Sequence, residues 1–183
     1  MIKNKKLLSI EKDFVKNGYY IFDTNEEGLE SIKNIRRKIL NFTFKKYPKM
    51  KKKYKSEKQV FEKMHSFIPK KSLNEFRLDI VNIINNDKNC SDYYYTAAKE
   101  GLDILVGNEI AMQKKLNFSV QMPNDKDSRL PMHSDIYAGE SPFEVVVWIP
   151  LMDVQNSSHA MFITNPKQNK VINGEVTYGK NTT

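Results

Sequence analysis

LPMHSDIYAGESPFEVVVWIPLMD, residues 130–153, decides how this chain is read. It contains no lysine or arginine, although the chain before it is rich in both. His133 stands two residues before Asp135, and the apolar run FEVVVWIPLM (143–152) follows. A β-branched and aromatic run, apolar on both faces, predicts a strand covered on both sides. Upstream, KLNFSVQM (115–122) alternates Leu116, Phe118, Val120 and Met122 with Asn117, Ser119 and Gln121, the period of a half-buried strand. AMFIT (160–164) is a third strand candidate, and Asn173-Gly174 suits a two-residue hairpin turn.

Residues 1–114 read mainly as helices. Leu7, Leu8, Ile10, Phe14 and Val15 recur at helical spacing before Gly18, and YYIFD (19–23) reads as a short strand. Thr24 with Glu27 predicts a capping box opening a helix through Leu29, Ile32, Ile35, Ile39 and Phe42. Ser72 with Glu75 predicts a second, and Ser91 is expected to cap a third through Tyr94, Ala98, Leu102 and Leu105. Helices first and short strands afterwards predict an α+β chain, a β-sandwich or barrel with a helical N-terminal buttress. The 183 residues, 39% apolar, suit a single domain over 1–183.

Charge is divided unevenly. Residues 1–90 hold 22 Lys+Arg against 11 Asp+Glu, whereas residues 91–183 hold 8 against 11. The densest run is Lys45 to Lys58, eight lysines opposed only by Glu57. A solvated loop or frayed helix is the expectation, because the lysines are not interleaved with base-stacking aromatics; nucleic acid is not expected as a partner. Cys90 is the only cysteine, which excludes an internal disulfide and suits a reducing compartment. No run approaches the ~18 apolar residues of a membrane span, so a cytoplasmic protein without membrane attachment is expected.

The His-x-Asp pair carries the chemistry. Residues two apart on an extended backbone point to one side about 6.6 Å apart, so His133 and Asp135 can converge on one cation. Two histidines and a carboxylate on one face form the facial set used by non-haem iron oxygenases. The frame His133-Ser-Asp135, then Tyr137 to Trp148-Ile-Pro-Leu-Met-Asp153, then Ala-Met-Phe-Ile-Thr-Asn-Pro166, resembles the iron(II)/2-oxoglutarate-dependent oxygenases. The likeness is to the branch encoded in sporadic bacterial carbohydrate clusters, distantly akin to the phytanoyl-CoA hydroxylase type, and covers about residues 116–166.

That resemblance implies a double-stranded β-helix (jelly-roll or cupin-like) core whose first strands occupy 115–183. It implies iron(II) on His133 and Asp135, with 2-oxoglutarate and molecular oxygen as co-substrates. The substrate would be a small molecule, a saccharide or nucleotide-sugar-related compound of polysaccharide biosynthesis. Asn117, Ser119 and Gln121 are candidates for contacting the co-substrate, and Trp148 for lining the same pocket or filling the core.

The family also needs a distal histidine and a later basic residue, for which this chain has no matching position. His159, only 24 residues past Asp135, falls where the family has a turn, and His65 lies among lysines. The expectation is a barrel incomplete at its C-terminal side and unable to turn over 2-oxoglutarate. The alternatives are a cupin-type isomerase or epimerase, which usually wants more histidines, and a non-enzymatic module binding an acidic partner through Lys45–Lys58.

Overall fold

A computed structural model of the chain describes residues 2–123, 125, 131–154 and 160–168. The chain divides into two compact units. The larger comprises residues 24–100 and 109–153, and the smaller residues 1–23, 101–108 and 154–183.

The larger unit is built on helices. Helix α2 (Glu26–Lys46) opens at Asn25, whose side chain accepts the Gly28 N–H at 2.9 Å, so the cap falls one residue after the predicted Thr24. Thr24 is otherwise engaged: its hydroxyl lies where a Cβ on Gly28 would stand. The apolar spacing of this helix then buries Ile35 and Ile39, while Leu29 remains 49% exposed.

The lysine run is mostly helical, with residues 54–56 the loop within it. It forms α3 (Pro48–Lys53) and α4 (Glu57–Lys63), the second capped by the Ser56 hydroxyl on Gln59 N–H. Met50 and Val60, the apolar residues among the lysines, are fully buried and pin these short helices to the core. Helix α5 (Leu73–Asn85) buries Phe76, Ile80 and Ile84 at the spacing of one face. Ser72 sits at its N-cap without a side-chain bond: it belongs to the preceding 3-10 turn and its backbone (φ −100°, ψ 4°) is not extended, while Glu75 pairs with Lys46 at 2.8 Å. Helix α6 (Lys88–Leu105) starts three residues before the predicted Ser91. Asp87 supplies its first acceptors, taking the Asn89 N–H on its carboxylate at 2.9 Å and the Cys90 N–H on its carbonyl at 3.1 Å.

The described residues contain no strand and no sheet, which overturns the α+β class, the double-stranded β-helix and the jelly-roll architecture. The two apolar segments are extended, and their period of two is real: Leu116, Phe118, Val120 and Met122 pack on the helical core while Asn117, Ser119 and Gln121 face out. What they lack is a ladder. Their backbone groups bond to helix side chains. The Asn85 amide takes both the N–H and the C=O of Leu116, at 2.7 and 3.1 Å. Arg77 Nε donates to Val120 O at 2.8 Å, Tyr94 to Val147 O, and Arg36 Nη1 to Leu151 O at 3.0 Å. A strand needs a neighbouring strand to satisfy its amides; here α2, α5 and α6 satisfy some of them individually. The 143–152 run is also covered on one side only, with Val146 60% and Trp148 45% exposed.

In the smaller unit, α1 (Ile2–Asn17) buries Ile10 and ends at Gly18, whose φ of +78° is open to glycine at little cost. Residues 19–23 are not a strand, and Phe22 packs so closely on Gly101 that a Cβ there would lie 2.5 Å from the ring. AMFIT is likewise not a strand, and the Asn173-Gly174 turn lies outside the described residues. Among the described residues no helix is long and apolar enough to cross a membrane.

Candidate functional site

His133 and Asp135 flank Ser134, whose extended backbone (φ −125°, ψ 132°) turns both side chains to one side. Asp135 then opens a short 3-10 turn, Asp135–Ala138, closed by Gly139 at φ +98°. The pair therefore sits at the mouth of a turn, not at the end of a strand. The same-side geometry needs only one extended residue.

The imidazole is oriented by its neighbour two residues back. His133 Nδ1 lies 2.7 Å from Pro131 O. A carbonyl only accepts, so Nδ1 carries a hydrogen, and in the singly protonated tautomer the lone pair is then on Nε2. That lone pair faces Asp135 Oδ1 at 3.4 Å, with each side chain about half exposed. Two electron-pair donors this close are stabilised by a cation between them or by a proton on Nε2. Two metal–ligand bonds of about 2.1 Å span the observed 3.4 Å at close to the tetrahedral angle, so the pair would close by about 0.4 Å to take two adjacent corners of an octahedral centre. The Pro131 carbonyl is the kind of outer partner that fixes a ligating histidine's tautomer.

Two carboxylates missed in the sequence reading stand beside the pair. Glu140 N–H donates to Asp135 O at 3.1 Å, folding the turn back on itself. Glu144 is held above the ordinary carboxylate range by partial loss of hydration, the Glu140 charge, a side-chain hydrogen bond with Glu140, and the Asp135 charge. Their five- and four-residue spacing in a stretch without lysine was the available signal. They do not complete a site: among the described residues no group of three His, Cys, Asp or Glu can hold a metal ion.

The other sequence candidates are not brought to the pair by any described contact. Asn117, Ser119 and Gln121 are exposed on the outer side of their segment. Trp148 is 45% exposed, which corrects the reading of it as a core aromatic. His65 lies half-buried in the 3-10 turn Met64–Ser66, and His159 lies outside the described residues. Comparison with protein-family models, curated proteins and solved structures finds no match.

Proposed function

We propose that His133 and Asp135 are two ligands of an iron(II) centre that supports 2-oxoglutarate-dependent oxidation of a small metabolite, a saccharide or nucleotide-sugar-related compound. The observation that carries this reading is the 3.4 Å approach of Nε2 and Oδ1 with Nδ1 committed to the Pro131 carbonyl. It rests on the pair itself and no longer on a β-helix. The lysine- and arginine-free frame of 131–154 supports it, since no ammonium competes as counter-ion for Asp135. Iron with 2-oxoglutarate and oxygen supplies the oxidising chemistry when bound, releasing succinate and CO2. His133 gives a neutral nitrogen with a fixed tautomer, and Asp135 a negative charge that lowers the charge of the centre. The third ligand of such a set comes from outside the described residues, with His159 the remaining histidine to test.

The experiment is anaerobic calorimetric titration of the full chain with iron(II), then with 2-oxoglutarate, followed by a succinate assay in air. His133→Ala and Asp135→Ala are each expected to weaken iron binding at least tenfold while leaving the circular dichroism spectrum unchanged. If both variants bind iron as the parent does, the pair is an ordinary imidazolium–carboxylate contact and the reading fails.

A further inference from the structure

The positive charge of this chain is concentrated on one surface. Residues 45–71 carry eleven lysines against Glu57 and Glu62, a balance of +9, which exceeds the +8 of the whole chain. Both acidic residues already face a cation: Glu57 lies 3.6 Å from Arg36 Nε, and Glu62 4.0 Å from Lys58 Nζ. Lys46 is spent on Glu75 and Asp79, at 2.8 and 2.7 Å, and Lys58 on Asp153 at 2.7 Å. Lys45, Lys49, Lys51, Lys52, Lys53 and Lys55 are exposed and have no acidic partner among the described residues.

These lysines are presented on packed structure. Met50, with no exposed surface, fixes α3 to the core, and Lys53 Nζ lies 5.3 Å from the Phe67 ring and 5.6 Å from the Tyr54 ring. Such contacts hold the helix end without neutralising the charge. The six residues of α3 span about 9 Å, a length over which a nucleic-acid duplex carries about five phosphate charges. The four lysines of α3 thus lie within about a Debye length of their neighbours at physiological salt, so they act together on a partner.

We propose that residues 45–55 form a docking surface for the phosphate backbone of double-helical nucleic acid, read without base specificity. The surroundings separate this partner from other polyanions. Tyr54 and Phe67 are half-buried, meet edge to face at 5.8 Å and both carry Lys53 over their rings, so they are engaged rather than standing free for the base stacking that single strands require. No large apolar side chain between residues 45 and 71 is exposed, whereas stable attachment to a bilayer takes an apolar or lipid element beside a basic patch. Phosphate contacts alone suffice for non-specific duplex binding. This departs from the sequence-based expectation of a merely solvated face, and it is independent of the His133–Asp135 reading.

The test is fluorescence anisotropy of a labelled mixed-sequence DNA duplex with the full chain, across a salt series. Four or five phosphate contacts give a slope of about −4 in log K against log salt, hence a loss of a hundredfold or more between about 50 and 200 mM. Changing Lys49, Lys51, Lys52 and Lys53 together to Gln is expected to weaken binding at least tenfold and flatten the slope by about 3. Removing four equally exposed charges elsewhere, by Lys12, Lys16, Lys114 and Lys115 to Gln, is expected to cost less than threefold, and His133→Ala nothing. Equal losses in both quadruple variants would reduce the effect to net charge and overturn the proposal. So would absence of duplex binding at about 50 mM salt, or capture by phosphatidylserine vesicles without duplex binding.

Discussion

The segments 116–122 and 144–151 both lie outside the helices, and both turn every second side chain inward, yet they differ in what they show outside. The first shows Asn117, Ser119 and Gln121, and water satisfies them. The second shows Val146 and Trp148, apolar groups with 60% and 45% of their surface exposed. Leu116, Phe118, Val120 and Met122 all pack on the core cluster, whereas Leu151 is the residue of the second segment that does, so the outward faces are not the sole difference. Alternation therefore reports one covered side, and a doubly apolar run does not by itself supply a second cover.

The comparison is sharpened first by exchanging one inward and one outward aromatic. Phe118, packed on the helical core, should cost about 2–3 kcal/mol on change to Ala. Trp148→Ser should stay within about 0.5 kcal/mol, as surface substitutions do. Urea unfolding of the two variants decides this, and a loss at Trp148 as large as that at Phe118 would mean that the outer face is covered.

A smaller effect is expected from the tether beneath the first segment. Asn85→Ala removes both bonds to Leu116 and leaves a partly buried N–H and C=O without their partner, at about 1–2 kcal/mol. Hydrogen exchange should speed up at Leu116 while residues 145–151 keep their rates. Equal acceleration in both segments would show that they dock as one piece.

The smallest effect concerns pH at the end of the second segment. The Lys58 ammonium, 2.7 Å away, holds the Asp153 carboxyl below its ordinary value. A depressed carboxylate contributes stability above its unfolded pKa and loses that contribution as pH falls through the folded value. Lowering pH well below the ordinary carboxylate value of about 3.9 should therefore loosen residues 151–153, and Asp153→Asn should reproduce the change at pH 7. Chemical shifts at these positions that do not move with pH would show that the pair carries nothing.

Much of the helical layer was legible in the sequence. The spacing of Ile35 and Ile39, and of Phe76, Ile80 and Ile84, marks faces that the structure buries. Their starting points were not, because a Ser, Thr, Asn or Asp can each accept the first free N–H. Asn25 and Asp87 took that place where Thr24 and Ser91 were expected. The absence of a sheet was hidden for a different reason. Periodicity registers which side of an extended backbone is buried but not where its amides bond, and Asn85, Arg77, Tyr94 and Arg36 are far away in sequence. The approach of His133 to Asp135 was readable from their i, i+2 spacing. Glu140 and Glu144 left only their spacing as a signal, since their closeness depends on the turn closed at Gly139.

The four tethers also imply an order of assembly. They close separations of 31 residues at Asn85–Leu116, 43 at Arg77–Val120, 53 at Tyr94–Val147 and 115 at Arg36–Leu151. The entropy lost in closing a loop grows with its length, so the 115–122 segment is the cheaper to seat. It arrives on a helix, α5, that has already formed locally and offers two of the anchors. The 143–151 segment must then find anchors on two different helices, one of them over a hundred residues back. A chain fastened in this way gathers from its middle outward, and its last latch is its longest.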